Sequence, residues 1–245
     1  MPRFFITPED IAADEITLSG EDAKHIIYSL RAKPGEKFTL CDGLGKDYLC
    51  IFESAHKDTA LFKILETVNC GNEPDIDISL YMALVKSDKF EFIVQKCTEL
   101  GVKRIIPVLT ERCISRPDEK SDRKKLERRQ KIAREAAMQS GRGIIPEICQ
   151  TKSFDEALSD MKNDGLCFMC YENERTASIS ELFSDGIPKS ISFMVGPEGG
   201  FSENEVCKAS TAGITPITLG PRILRAETAP LCVLSALMYV SGNLS

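Results

Sequence analysis

The run MVGPEGGFSENEV (194–206) carries an apolar stretch through Gly196-Pro197-Glu198-Gly199-Gly200 and into a polar sequence that opens on Ser202. Ser202 with Glu205 three residues on has the spacing of a capping box, so a helix starts there. The SISFMV before it reads as a buried strand. A strand that turns within five residues into a helix is the repeating step of a parallel sheet covered by helices. The step recurs in TLGPRILRAETAP (218–230), where strand ITPITL ends at Gly220. There Thr228 is placed to cap a helix that carries Pro230 in its first turn. In open parallel sheets both turns emerge at the carboxyl ends of the strands, the edge where ligands bind.

Upstream the alternation continues back to residue 76. ISLYMALV is a strand, and a helix follows from about Lys89 to Leu100, with Asp88 and Glu91 at capping-box spacing and Gly101 as its stop. RIIPVLT, a long helix over 122–140, PEIC, FDEALSDM and LCFMCY complete the series. The first 70 or so residues read differently. RFFI, EITL, KFTLC, DYLCIFESA and ALFKILETV are short strands at hairpin spacing. One helix interrupts them, Gly20–Arg31, with Ala23, Ile26, Ile27 and Leu30 on one side. The G-x-G of CDGLGKDY lies between strands, so it is a hairpin turn. The turn-rich NCGNEPD (69–75) marks the boundary. The expected organisation is a β-rich domain over 1–72 and an α/β domain over 73–245.

Composition narrows the classes. The chain has 245 residues, 42% of them apolar, with no apolar run near the roughly 20 needed to cross a bilayer. MPRFFITPED lacks the pattern of a secretory signal. A cytoplasmic protein without membrane contact is expected. Ten scattered cysteines then read as reduced thiols. Cys167 and Cys170 lie three apart in a strand and point to opposite faces, and neither histidine, His25 nor His56, accompanies a cysteine pair. No metal site is expected.

The net charge is −6. Residues 1–75 hold 8 basic and 14 acidic side chains, so the deficit lies there. Residues 120–142 hold 9 basic and 3 acidic, a local excess suited to phosphates on an otherwise acidic protein.

The two glycine turns point to a pocket. Glycines let backbone amides and carbonyls approach a ligand without Cβ interference. Either turn alone is explained as a tight connection. The second also holds Arg222, Arg225 and Glu227 around Ile223-Leu224, which a plain turn does not need. There is no G-x-x-x-x-G-K-[ST], the opening strand runs into KSDKFE rather than G-x-G-x-x-G, and there is no G-x-S-x-G elbow. Residue patterns thus stop at an α/β enzyme with a glycine-lined, arginine-bearing pocket.

At VGPEGGFSENE and LGPRILRAETA the sequence resembles the RsmE family of SPOUT methyltransferases, which modify uridine N3 in 16S rRNA. QKCTELGVKRIIPVLTER, AREAAMQSGRGIIPEI and HIIYSLRAKPGEKFTLCDGLGKDY support the resemblance, in order and over nearly the whole chain. It implies a PUA-like, RNA-binding β-barrel over 1–72 and a SPOUT α/β domain with a C-terminal trefoil knot over 73–245. It also implies S-adenosyl-L-methionine as cofactor and 16S rRNA or the small ribosomal subunit, at its decoding centre, as partner. Carried over, Val195, Gly196, Pro197, Gly199, Gly200, Leu219, Gly220, Leu224, Arg225, Ala226, Thr228 and Ala229 would bind the cofactor. Arg225 would stabilise charge on the uracil oxygens, and Glu198 or Glu227 would accept or relay the N3 proton. Each has a rival role: Arg225 pairing with Glu227 to order the loop, and Glu198 as a favourable charge at a helix N-terminus. Arg3, Arg31, Arg112, Arg134 and Arg142, with Lys124, Arg128 and Lys131 on the long helix, are the candidate RNA contacts. The last helix, APLCVLSALMYVSG, is apolar nearly all round; relatives bury its equivalent in a homodimer. Two other functions compete, an RNA-binding ribosome-assembly factor with an inactive cofactor pocket and a small-molecule enzyme with an unrelated nucleotide cofactor. The intact charged loop argues against the first; the basic stripe and barrel have no task in the second.

Overall fold

The computed structural model describes residues 1–114, 119–183 and 186–244. The chain divides into two compact units: Met1–Glu73 with Ala137–Ile145, and Pro74–Ala136 with Pro146–Ser245.

The first unit holds β1 (Arg3–Phe5), β2 (Ile11–Ala12), β3 (Glu15–Ser19), α1 (Gly20–Lys24), β4 (Lys37–Cys41), β5 (Lys46–His56) and β6 (Thr59–Asn69). Among the described residues they form a six-stranded sheet in the order β1-β4-β5-β6-β3-β2, antiparallel except between β1 and β4. Alternation along β3 sends Ile16 and Leu18 inward. They join a core in which Phe62 meets Phe38 and Phe52 edge-on, with centroids 5.4 and 5.5 Å apart, a geometry that adds about 0.5–1.5 kcal/mol per pair to area burial. The helix expected over Gly20–Arg31 is shorter in its α part. It widens into a π turn over His25–Ser29, and Arg31 beyond it has a left-handed φ of 54°. CDGLGKDY is a hairpin turn: the Asp42 carboxylate accepts from the amides of Leu44 (2.8 Å) and Lys46 (3.0 Å).

The second unit runs β7 (Asp77–Ala83), α2 (Ser87–Glu99), β8 (Arg104–Leu109), α3 (Glu119–Ser140), β9 (Glu147–Ile148), β10 (Lys152–Ser153), α4 (Phe154–Met161), β11 (Leu166–Cys170), β12 (Ser190–Val195), α5 (Glu203–Thr211), β13 (Thr215–Ile217) and α6 (Ala229–Val240). Its sheet is parallel throughout, ordered β10-β8-β7-β12-β11-β13 with β9 also on β8. The strands are apolar on both faces because both are covered. Leu80, Phe168 and Phe193 pack with α2 and α6, and Tyr81, Met169 and Met194 pack with α4 and α5. Cys170 goes with the first set and Cys167 with the second.

Two caps differ from the sequence reading. α2 begins at Ser87, and its N-cap, Lys86, makes no side-chain cap bond. Glu91 instead accepts from Ser87 Oγ and pairs with Arg128 at 2.6 Å, so the Asp88/Glu91 box does not form. Thr228 is already helical in backbone and makes no side-chain cap either. Arg225 O does that work, accepting from the amides of Thr228 (2.9 Å) and Ala229 (3.0 Å). Among the described residues no helix is long and apolar enough to cross a membrane.

Candidate functional site

Three strands of the parallel sheet end side by side, and the loops that follow them make one wall. After β12, Gly200 N closes a tight turn on Pro197 O at 2.9 Å. Ser202 caps α5 as expected: its hydroxyl accepts from Glu205 N, and the Glu205 carboxylate accepts from Ser202 N at 2.9 Å. The other oxygen of buried Glu205 accepts from Glu111 N at 2.8 Å, and Arg112 donates to Gly199 O at 2.8 Å. The turn is therefore fastened from the β8 side at two points. After β13, Gly220 N donates to Thr218 Oγ1, and the loop reaches α6 through the Arg225 carbonyl bonds. After β11, Glu174 accepts from the Thr176 amide (2.8 Å) and hydroxyl (2.7 Å) and then from the Arg175 amide (2.8 Å), which holds its carboxyl down at about 2; Arg175 donates to Glu172 O at 2.6 Å.

Between these loops lies a cavity of about 660 Å³. Val195, Gly196, Pro197, Glu198, Gly199 and Gly200 line it from the first turn. Leu219, Gly220, Leu224, Arg225, Ala226 and Ala229 line it from the second. Thr228 stays off the wall, and Glu227 reaches it only through a neighbour: Lys89, on the wall, holds Glu198 Oε1 and Glu227 Oε2, each at 3.2 Å. Glu227 Oε2 is buried and makes no hydrogen bond of good geometry among the described residues, so the Lys89 charge is what balances it. The Glu227 carboxyl is held below its ordinary value, first by its own backbone amide, against burial, and then by Lys89 and Arg225. The Arg225 side chain is 83% exposed and stands 4.0 Å from Glu227 Oε1. Among the described residues no group of three or more His, Cys, Asp or Glu is placed to hold a metal ion.

The candidate RNA cations separate into kinds. In the first unit Arg31 is exposed, but Arg3 and Arg142 are not available to a phosphate. Arg3 makes a two-pronged pair with Asp47 (2.6 and 2.7 Å) and donates to Arg142 O; Arg142, 4% exposed, pairs with Glu73 at 2.7 Å. Removing one partner strands a buried charge at about 3–5 kcal/mol, so both arginines serve the fold. In the second unit Lys124 and Lys131 are exposed on α3, Arg134 is half-buried, and Arg128 is exposed while paired with Glu91. Arg112 is exposed and donates through one guanidinium nitrogen to Gly199 O, as above.

Residues 72–238 match the RNA methyltransferase domain family, and residues 18–65 match the RNA methyltransferase PUA domain. The ribosomal RNA small subunit methyltransferase E of Bacillus subtilis (strain 168) is 36% identical, over 98% of this chain and 96% of that one. The chain belongs to this methyltransferase family. The same enzyme from Neisseria gonorrhoeae, solved bound to S-adenosyl methionine, superposes with a TM-score of 0.88 at 36% identity, over 98% of this chain and 97% of that one. A putative methyltransferase of Legionella pneumophila, solved in complex with the same cofactor, gives 0.87 at 31%, over 97% and 96%. The architecture is the family's: an α/β methyltransferase domain with a PUA-like domain.

Sequence reasoning missed several wall residues of this methyltransferase site. Lys89 comes from the first turn of α2, and Tyr171, Glu172 and Arg175 follow β11. No residue pattern pointed to them: they share the edge because β11 and β7 flank β12 in the folded sheet.

Proposed function

We propose that this protein transfers the methyl group of S-adenosyl-L-methionine to N3 of a uridine in 16S rRNA, at the decoding centre of the small ribosomal subunit. The observation that carries the reading is the glycine cradle in a family member's site: the cavity is of small-ligand size and Gly196, Gly199, Gly200 and Gly220 all line it. A Cβ on Gly200 would lie 2.8 Å from Glu172 Cδ, and one on Gly196 would lie 3.2 Å from the Phe201 ring. The wall carboxylates Glu172 and Glu198 suit a cationic cofactor. When bound, that cofactor supplies an electrophilic methyl on a sulfonium. The chain's own residues have the remaining tasks. Uracil N3 is protonated at neutral pH and attacks only as an anion. Exposed Arg225 meets the charge that develops on the uracil oxygens, and Glu198 or Glu227 receives the proton. Holding N3 in line with the methyl group supplies much of the acceleration.

The same reading makes the first unit an RNA-binding module, gives the second a trefoil knot near its C-terminus, and places the protein in the cytoplasm. The test is to incubate the protein with labelled cofactor and either free 16S rRNA or small subunits, then map the label. Expected is a single N3-methyluridine, which blocks the base's pairing edge and halts reverse transcription. Label on another atom overturns the N3 assignment. Binding of cofactor and RNA with no transfer favours an assembly factor instead.

Two predictions belong to this reading. Replacing Lys124, Arg128 and Lys131 with glutamine should weaken RNA binding and flatten its salt dependence, by about 0.7–0.9 in log–log slope for each phosphate no longer neutralised. Cofactor affinity should not change, and an unaltered slope refutes phosphate binding by the stripe. The protein should also be a homodimer. Tyr239 and Val240 on α6 and Phe92 on α2 are 76%, 44% and 43% exposed, an apolar surface that a second copy would cover. Light scattering at micromolar concentration should give twice the chain mass; a monomer rules the dimer out.

A further inference from the structure

Lys89 sits where a helix disfavours it. The positive end of the macrodipole makes a cation in a first turn unfavourable, and Lys89 is the third residue of α2. Its ammonium nonetheless stands between two carboxylates from two other loops, 3.2 Å from Glu198 Oε1 and 3.2 Å from Glu227 Oε2. Exposure is 27% for Lys89, 31% for Glu198 and 18% for Glu227, so the three charges meet partly out of solvent, where attraction exceeds that of a surface pair. The Lys96–Glu99 pair lies within one helix, whereas this cluster ties α2 to both glycine turns at the cavity wall. A residue needed only to join loops would not have to face the cavity.

We propose that Lys89 is a positioning residue of the transfer step: its ammonium holds Glu198 and Glu227 in the arrangement in which one of them receives the uracil proton. The inference rests on the methyl-transfer reading above. The charged groups facing Glu227 are Lys89 from α2, Glu198 from the turn after β12, and Arg225 from its own loop. Glu172, Arg175 and Arg222 line the same cavity. Without Lys89, Glu198 and Glu227 lose the cation between them, and the buried Oε2 loses the charge that balances it. Like charges and burial both raise a carboxyl's proton affinity. A carboxylate accepts a proton only when deprotonated, so the acid limb of the pH–rate profile should move to higher pH. The ammonium stays charged throughout, being pushed above its ordinary value first by Glu198 and then by Glu227.

The experiment compares wild type, Lys89→Met and Lys89→Arg in two measurements. The first is carboxyl carbon NMR titration of the ligand-free protein, with Glu227→Gln and Glu198→Gln assigning the signals. The second is single-turnover methylation across pH. Expected for Lys89→Met are a raised titration midpoint for Glu227, a rate about tenfold or more lower at neutral pH, and an acid limb displaced upward. Lys89→Arg should restore most of each. An unmoved Glu227 midpoint, or a rate loss equal at every pH, overturns the positioning role. If Lys89→Met does not fold, Lys89→Gln, which keeps a polar tip, decides the same two readouts. A wild type that methylates at no pH overturns the methyl-transfer reading itself, and the positioning role with it.

Discussion

Replacing Arg225 with alanine should slow methyl transfer by about 10²–10³-fold, the loss seen when one donor to a developing oxyanion is removed, while cofactor affinity stays within a few-fold. Two roles are open to this arginine. As a loop-ordering group it would need a strong partner, yet its guanidinium is 83% exposed and 4.0 Å from Glu227. A pair so exposed contributes at most about 1 kcal/mol. The loop is held by the Arg225 carbonyl, which accepts from Thr228 N and Ala229 N and which alanine retains. The side chain, tied to Glu227 only across 4.0 Å, lines the cavity. Raising the pH should return part of the lost rate, because uridine then ionises unaided. Single-turnover methylation over a pH series, beside equilibrium cofactor binding, reads both. If rate and affinity fall together with no alkaline recovery, Arg225 is a structural residue.

Gly200→Ala should weaken cofactor binding by about tenfold or more, the equivalent of the roughly 1–2 kcal/mol that a left-handed L residue costs. Gly200 has a φ of +67°, where an L side chain costs about 1–2 kcal/mol. Its Cβ would also lie 2.8 Å from Glu172 Cδ, so the Glu172 carboxylate must swing aside from the wall. Strain alone is measured by Gly213→Ala, since Gly213 has a φ of +86° and nothing within 4 Å of the added carbon. That variant should lose a comparable amount of stability and keep its affinity. Gly200→Ala with Glu172→Ala should recover part of the binding. Equal affinity losses at Gly200 and Gly213, by calorimetric titration, would show that backbone strain rather than wall shape controls the site.

How much of this was legible depends on range. The turns after β12 and β13 could be read because strand, glycines and helix start lie within a dozen residues. The Ser202/Glu205 cap formed for the same reason. The Asp88/Glu91 box had the same spacing but did not form, since Glu91 found Arg128 on another helix. Spacing proposes a cap; tertiary competition decides it. Arg3 and Arg142 looked like surface cations because their partners, Asp47 and Glu73, are 44 and 69 residues away. Lys89 was invisible for the converse reason, its two acidic partners lying on loops more than a hundred residues later. The sheet order that joins them follows from the chain's path, which residue patterns do not encode.

Residues 137–145 belong by their packing with the first 73. Phe5 and Cys41 bury against Ala137, the Cys41 thiol donates to Gly143 O at 3.2 Å, and Leu44 bridges to Ile144. The β-rich unit is thus written in two pieces of the gene with Pro74–Ala136 between them. A single crossover near residue 73 that exchanged this unit between relatives would import its first piece and leave its last behind, mismatching the Glu73 carboxylate with the amides of Gly143 and Ile144 that it serves at 2.8 and 3.1 Å. A working chimera of this unit therefore needs two breakpoints.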